Sequence, residues 1–281
     1  MTEANTRQIA EWNCALGQRW AERQRELELM VEPFSRAVLD AAAAQCGERV
    51  LDVGCGCGAS SLALAQAVGS SGQVLGIDVS QPMLEVARAH AGGLPQLAYL
   101  EGDAAGLRWE QPFDLLFSRF GLMFFDAPAV ALRHLRAALG PRGRLAFVCW
   151  RHPRDNAWAM APLAAARSAL GIVPPPWDPL APGPFAFADG DRVQQLLHAA
   201  GFDAIAVRRV DAQLQVGPTP AAAAAHALRI GPASHYLREV GAQHEPAVLS
   251  AITAALAPLA AADGSVRLGG SVWVVTALRG G

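Results

Sequence analysis

The stretch VLDVGCGCGASSLALA, residues 50–65, decides the fold of this chain. An apolar run containing Asp52 leads into a loop of three glycines and two cysteines, and a helix-forming run begins at Ala59. Glycine permits tight turns and lets a ligand approach bare main chain. The loop therefore indicates a strand–turn–helix unit that binds a ligand. Three ligands are considered: a dinucleotide, a metal or redox partner at the cysteines, or another cofactor.

Composition narrows the class of protein. The 281 residues are 52% hydrophobic, which suits one large domain with an insertion or two small domains. The apolar runs stop short of the roughly 20 residues of a membrane span, and the N-terminus carries no apolar signal segment. We therefore expect a cytoplasmic protein. The formal net charge of −2 argues against nucleic-acid binding.

Short apolar runs alternate with helical patterns after a helical N-terminal region. A helix is predicted over 6–30, and a second follows Pro33 to about Cys46. Strands are predicted at 48–53, 73–78, 97–101, 114–118 and 143–150, and helices near 59–68, 81–91 and 127–139. Asp126 is the predicted cap of the last of these helices. This alternation predicts a parallel sheet with right-handed crossovers.

The pattern changes after Trp150. Residues 151–188 are rich in proline, tryptophan and alanine, with one short helix expected near 157–170. A helix at 190–200 and a strand at 203–210 resume the alternation, and 218–263 is Ala-rich and mostly helical. The β-branched run at 271–278 predicts a final strand.

The negative charge of Asp52 distinguishes between the candidate ligands. Gly54-x-Gly56-x-x-Ala59 fits the dinucleotide fingerprint, and Asp78 lies at a suitable distance for a ribose. A carboxylate two residues before the first glycine, however, would face a pyrophosphate with like charge. The same carboxylate would attract a cationic ligand. S-adenosylmethionine (SAM) is such a ligand, because it carries an ammonium and a sulfonium.

The following strand ends agree with this interpretation. Asp78 ends the second strand, where its carboxylate can accept the ribose hydroxyls. The sequence Glu101-Gly102-Asp103-Ala104 ends the third strand, where Asp103 can accept from an adenine amino group. These ends lie on the carboxyl edge of the predicted sheet, where open α/β folds bind ligands.

The segments VLDVGCGCG, GIDVS, EGDA and FDLLFSRFGLMFF together resemble the successive motifs of class I SAM-dependent methyltransferases. The resemblance covers about residues 48–150 and is strongest to the small-molecule branch around the ubiquinone/menaquinone-biosynthesis enzymes. It implies an α/β, Rossmann-like, doubly wound seven-stranded sheet with an antiparallel last strand and helical lid insertions. The implied cofactor-binding residues are Trp20, Asp52, Gly54, Cys55, Gly56, Asp78, Val79, Met83, Gly102, Asp103, Ala104, Ser118 and Arg119.

Several side chains keep two interpretations. Arg119 can contact the SAM carboxylate or an acidic substrate, or form a salt bridge under the loop. Trp20 can contact SAM or pack on the domain. Phe120, Met123 and Trp158 are the predicted acceptor-binding residues, and core packing is the alternative for the first two. Trp177 and Phe185 also suit an apolar acceptor. His152 is the candidate general base, with a capping role as its alternative.

The two loop cysteines do not match a zinc or thioredoxin-like spacing, so no metal site is predicted. Cys55 suits a tight turn and Cys57 faces the start of the helix. A thiol pKa can fall near a helix N-terminus, so we expect alkylation of these thiols.

The sequence as a whole predicts SAM-dependent methylation of a small, fairly apolar acceptor, with O- or C-methylation favoured. An NAD(P) oxidoreductase and a non-catalytic SAM-binding relative are the alternatives, and a homodimer is compatible with the sequence. The predicted parts are a helical cap at 1–47, a SAM-binding core at 48–150, an active-site loop at 151–188, continued core at 189–216, a helical lid at 217–265 and a final strand at 266–281.

Overall fold

The computed structural model describes residues 9–172 and 178–281 of the chain. Trp177 therefore lies outside the described residues. The chain divides into two compact units. We call residues 1–150, 180–210 and 272–281 the sheet unit, and residues 151–179 and 211–271 the helical unit. The predicted lid segments fall mostly in the helical unit, although 180–188 belongs to the sheet unit, and their lid role stays a prediction.

A seven-stranded sheet in the order β3-β2-β1-β4-β5-β7-β6 organises the fold. Strands β1 to β5 pair in parallel, and β7 runs antiparallel to β5. This confirms the predicted Rossmann-like sheet and its antiparallel last strand. The strands are β1 Arg49–Val53, β2 Gln73–Asp78, β3 Leu97–Glu101, β4 Phe113–Arg119, β5 Leu139–Trp150, β6 Phe202–Gly217 and β7 Val266–Arg279.

The centre of the sheet is apolar on both faces, as expected for parallel strands covered by helices. Leu51 of β1 is fully buried, pairs with Leu75 of β2 on one side, and pairs with Leu116 of β4 on the other. The strand order reverses between β1 and β4, which makes this edge the topological switch point where open α/β sheets bind ligands.

Helices cover this sheet and form the helical unit. The sheet unit contains α1 Ala15–Glu22, α2 Gln24–Ala42, α3 Ala59–Val68, α4 Gln81–His90, α5 Pro128–Ala138 and α7 Gly190–Ala199. The helical unit contains α6 Ala157–Leu170, α8 Pro220–Ala227, α9 Pro232–Val240 and α10 Glu245–Leu256. The predictions at 59–68, 81–91, 157–170 and 190–200 are confirmed to within a residue.

The boundaries predicted for the N-terminal helices and for the start of α5 are wrong. The helix predicted over 6–30 is interrupted at Arg23, between α1 and α2. Pro33 lies inside α2, which is one helix from Gln24 to Ala42. Buried residues on both sides of the proline, including Met30 and Phe34, keep the helix continuous because their packing outweighs the lost hydrogen bond. Helix α5 begins at Pro128, so Ala127 and not Asp126 occupies the cap position, and it makes no side-chain cap bond.

In the helical unit, α10 packs on α6 and α8, and α9 packs on α6. Asn156 is fully buried at the start of α6. Its amide donates to the carbonyls of Arg151 and His152, and its oxygen accepts from Trp158 Nε1 at 3.1 Å. Within the described ranges, no helix is long and apolar enough to cross a membrane.

Helix α2 offers a matched test of packing against exposure. Leu27 is 5% exposed and Leu29 is 68% exposed. Leu27→Ala should lower the free energy of unfolding by about 2–4 kcal/mol, because it removes buried apolar contacts and leaves a cavity. Leu29→Ala should change it by less than about 0.5 kcal/mol. Urea denaturation of both variants measures this, and equal losses would contradict the placement of α2.

Candidate active site

The glycine loop joins β1 to α3 through three left-handed residues. Gly54, Gly56 and Gly58 have φ values of +69°, +55° and +83°. A Cβ on Gly54 would lie 2.9 Å from Gly121 Cα, so the site has no room for a side chain. The Gly54 and Cys55 amides donate to the Ile77 carbonyl at 2.8 and 3.1 Å, which ties the loop to β2.

Asp52 lies beneath this loop and is fully buried. Its Oδ2 accepts hydrogen bonds from Ser60 Oγ at 2.7 Å and Ser61 Oγ at 2.6 Å, in the first turn of α3. Its Oδ1 has no hydrogen-bond partner in the described part of the chain. Burial raises the pKa of Asp52 to about 6, against the lowering effects of the two serines and Arg119. An ionised carboxylate held this way is stabilised by a nearby cation.

Asp78 ends β2 on the other side of the loop. Its Oδ2 accepts from the Gly56 amide at 2.8 Å and its Oδ1 from the Ser80 amide at 2.9 Å. Burial raises the pKa of Asp78, and these backbone donors oppose the rise. Asp78 is partly accessible, and each carboxylate oxygen can accept a second hydrogen bond. The two aspartates therefore flank bare backbone with negative charge.

The end of β3 lies next to that of β2. The Gly102 amide donates to the Asp78 carbonyl at 2.9 Å. Asp103 Oδ1 accepts from the Ala105 amide at 2.9 Å, which fixes the turn, and Ala104 is buried. The structure therefore brings together the strand ends that the sequence singled out.

Met83 belongs to the same cluster as the loop and the β2 end. It lies in the first turns of α4 and is buried. A Cβ on Gly56 would lie 2.7 Å from Met83 Cε, so this side chain packs directly on the loop. Val79, which follows Asp78, is partly exposed.

The end of β4 holds the other predicted side chains. Ser118 is buried, and its Oγ donates to the Val53 carbonyl at 2.7 Å. Arg119 donates to both carboxylate oxygens of Glu28, at 2.5 and 2.6 Å, and to Ser35 Oγ at 3.0 Å. The structure thus shows the salt-bridge alternative for Arg119. Sequence reasoning missed Glu28, because its pairing depends on how α2 packs.

The two apolar residues Phe120 and Met123, which follow β4, differ in exposure. Phe120 is partly exposed and has a left-handed φ of +60°. Met123 is 2% exposed, and its carbonyl accepts from the Gly183 amide at 3.1 Å. The burial of Met123 fits the core alternative, whereas Phe120 remains reachable.

The N-terminal segment docks on the end of β2. Asn13 Nδ2 donates to the Val79 carbonyl at 2.7 Å, and its Oδ1 accepts from the Gln81 amide at 2.9 Å. Trp12 and Trp20 pack edge to face with ring centroids 5.8 Å apart. Sequence reasoning chose Trp20 and missed Asn13, since a lone asparagine in a helical pattern gives no signal of a distant partner.

His152 and Trp158 belong to the helical unit. His152 is exposed, and its Nδ1 accepts from the Arg154 amide at 3.2 Å, which is the capping geometry considered as its alternative. Trp158 is 9% exposed, and its indole donates to Asn156. The acceptor-binding role of Trp158 stays a prediction.

The expectation of reactive loop thiols is wrong. Cys55 and Cys57 are buried. Burial raises the pKa of Cys55 well above its usual range, and the charges of Asp52 and Asp78 add to this. Burial likewise raises the pKa of Cys57 to about 12, with Glu28 as the next cause. Desolvation and nearby carboxylates thus outweigh any helix-terminus effect.

Comparison with known proteins defines the class to which this site belongs. A family model described as a methyltransferase domain matches residues 50–143. The nocamycin O-methyltransferase of Saccharothrix syringae is 32% identical over 195 residues, which cover 66% of this chain and 69% of that protein. A demethylmenaquinone methyltransferase of Staphylococcus haemolyticus is 30% identical over 172 residues, which cover 58% of this chain and 71% of that protein.

The fold comparison agrees. The structure of the YcgJ protein from Bacillus subtilis superposes with a TM-score of 0.58 at 16% identity, over 89% of this chain and 99% of that one. The chain belongs to the class I SAM-dependent methyltransferases. It is an enzyme of the branch that methylates small molecules, and the dinucleotide alternative is not favoured.

The buried charge of Asp52 makes stability depend on pH. Because its folded-state pKa of about 6 lies above the usual 3.8, the protonated form is favoured by folding. Wild-type stability should therefore fall relative to Asp52→Asn as the pH rises from about 4 to about 6, and the difference should level off at up to about 3 kcal/mol. Urea denaturation at several pH values measures it, and a constant difference across this range would contradict the assignment.

Thiol labelling tests the burial of the loop cysteines. Iodoacetamide at pH 8 should modify Cys14 and Cys46, which are exposed, and leave Cys55 and Cys57 unmodified. The reason is that the buried thiols are both inaccessible and protonated. Peptide mass spectrometry reads out the sites. Denatured protein is the control in which all cysteines react, and rapid native labelling of Cys57 would show that the loop opens.

Proposed function

We propose that this enzyme transfers the methyl group of SAM to an oxygen or carbon atom of a small, fairly apolar acceptor. The observation that carries the proposal is the pair of carboxylates, Asp52 and Asp78, on either side of a side-chain-free loop. This arrangement suits a ligand that is cationic near β1 and carries hydroxyls near β2. The O-methyltransferase and quinone-methyltransferase names of the two relatives support the acceptor class.

The residues present fit the cofactor. Oδ1 of Asp52, which has no hydrogen-bond partner in the described residues, leaves the buried carboxylate able to accept from a cationic ligand at the loop. We propose that the backbone of Gly54, Cys55 and Gly56 holds the methionine part. The remaining lone pairs of Asp78 would accept the ribose hydroxyls.

The adenine would lie between the β2 and β3 ends. We propose Val79 and Met83 on its faces, and Gly102, Asp103 and Ala104 at its edge. The connection between the Gly102 amide and the Asp78 carbonyl supports this, because it holds the two strand ends side by side. Ser118, through its backbone, and Trp20 complete the proposed set.

Methyl transfer requires the protein mainly to position the methyl donor and the acceptor. SAM, when bound, supplies a methyl group on an already activated sulfonium. The chain contributes by holding the donor and acceptor in line and by excluding water. A general base is required only for an acceptor that must lose a proton. His152 is the proposed base, although it must first release the Arg154 amide that its Nδ1 now accepts.

Removing the Asp78 carboxylate tests the cofactor site. Asp78→Ala should weaken SAM binding by about 1–3 kcal/mol, because the ribose hydroxyls lose their charged acceptor. Asp40→Ala, at an exposed position of α2, is the matched control and should bind SAM like the wild type. Isothermal titration calorimetry measures both. Unchanged affinity in Asp78→Ala with a normally folded protein would refute the ribose assignment.

Two further measurements separate the alternatives. Calorimetry with NADH should give no binding, whereas an oxidoreductase would bind it. Transfer of label from methyl-labelled SAM across a panel of phenols, hydroquinones and enolic ketones tests turnover. Binding of SAM without transfer to any member would favour a non-catalytic relative.

We also propose a cytoplasmic enzyme that acts on no nucleic acid, which the formal net charge of −2 supports. The absence of binding to duplex DNA and to RNA at low salt would agree with this, since backbone binders are strongest there. Light scattering distinguishes a 29.5 kDa monomer from the homodimer that the sequence allows.

A further inference from the structure

The three consecutive residues Ser118, Arg119 and Phe120 at the end of β4 make different contacts. Ser118 is buried and hydrogen-bonded to the Val53 carbonyl. Arg119 is held by both oxygens of Glu28 and by Ser35. Arg119 and Phe120 are both partly exposed, but only Phe120 offers an apolar side chain that no ion pair holds. Whatever binds beside this strand end therefore meets an aromatic ring.

The backbone of Phe120 is held in an uncommon conformation. Its φ of +60° is rare for a bulky residue. The next residue, Gly121, packs against the glycine loop. A Cβ on Gly121 would lie 2.7 Å from the Val53 carbonyl oxygen and 3.1 Å from Gly54 Cα. Such strain persists where the surroundings over-determine it, and it often marks a functional position.

An aromatic stack fixes the ring of Phe120. It lies nearly parallel to Trp150, with centroids 4.6 Å apart and planes 15° apart. Trp150 in turn packs edge to face on the fully buried Phe34. Since Trp150 covers one face of Phe120, an acceptor ring can stack only on the opposite face. That surface is rigid, planar and uncharged.

The guanidinium of Arg119, in contrast, is already neutralised. Its bidentate pair with Glu28 satisfies the fork that would otherwise bind a carboxylate of a ligand. An acidic group of an acceptor would have to displace Glu28, which would then be left without its cationic partner. This favours an acceptor without an anionic group at this point.

We propose that Phe120 is a specificity-determining residue, which stacks a planar, uncharged aromatic ring of the acceptor against its open face. Offset stacking on a fixed ring orients such an acceptor at low entropic cost. The inference rests on the proposed function and deepens it, because it names the acceptor class and the group that selects it. Arg119 acts as a positioning residue that holds α2 against the end of β4.

The test uses ligand binding and does not require turnover. The full chain is first saturated with S-adenosylhomocysteine, with its binding recorded by calorimetry. It is then titrated with 2-naphthol, with the non-planar decahydro-2-naphthol and with the anionic 2-naphthoate. We expect 2-naphthol to bind at least tenfold more tightly than either of the other two probes.

Variants at Phe120 assign that preference to the ring. Phe120→Ala and Phe120→Leu should weaken 2-naphthol binding about tenfold, because one lacks the side chain and the other lacks a flat face. Phe120→Tyr should retain the binding. Phe120→Gly should lose it as well while relieving the left-handed strain, so a stable Gly variant separates loss of the ring from loss of the fold.

The outcomes are distinct. No binding of S-adenosylhomocysteine would overturn the proposed function, and the inference with it. Binding of S-adenosylhomocysteine but not of 2-naphthol would overturn the inference alone. The same holds if Phe120→Leu binds 2-naphthol like the wild type, or if 2-naphthoate binds best and loses that advantage in Arg119→Met.

Discussion

A close backbone contact between two glycines joins the ends of β1 and β4, and the shape of the glycine loop depends on it. Gly54 at the end of β1 and Gly121 after β4 lie so close that neither has space for a Cβ. This contact holds the strand ends together at the switch point of the sheet. Gly54, and Phe120 just before Gly121, both have left-handed φ values, of +69° and +60°. The glycine loop and the segment that follows β4 therefore meet at one close backbone contact.

The charged residues around the glycine loop determine which ligand the site can bind. Asp52 and Asp78 are desolvated on both sides of the loop, and Glu28 lies close enough to raise the pKa of Cys57. Arg119 is the cation that most directly offsets them, but its bonds go to Glu28. The charged side chains around the loop therefore carry a net negative charge. That environment explains why a cationic cofactor suits the site and why the buried thiols stay protonated.

The sequence predicted the sheet and the strand-end cluster well, because both depend on local patterns. Apolar runs of fixed length mark the strands, and parallel topology brings Asp52, Asp78 and Asp103 to one edge. What it missed depends on packing between distant segments. Pro33 sits inside a helix because buried neighbours hold both sides, and Glu28 meets Arg119 only once α2 has packed. The thiol pKa was misjudged for the same reason, since burial is a property of the fold.

The strand order also affects how the chain folds during its synthesis. Strand β7 comes last of the seven along the chain, yet it lies between β5 and β6 in the sheet. As the chain emerges from the ribosome, β1 to β4 can pair early, since β1 lies between β2 and β4. The β5 edge must stay unpaired until β7 arrives more than a hundred residues later. An exposed strand edge of this kind is a site for mispairing, so the interval between β5 and β7 is where nascent chains are most exposed to aggregation.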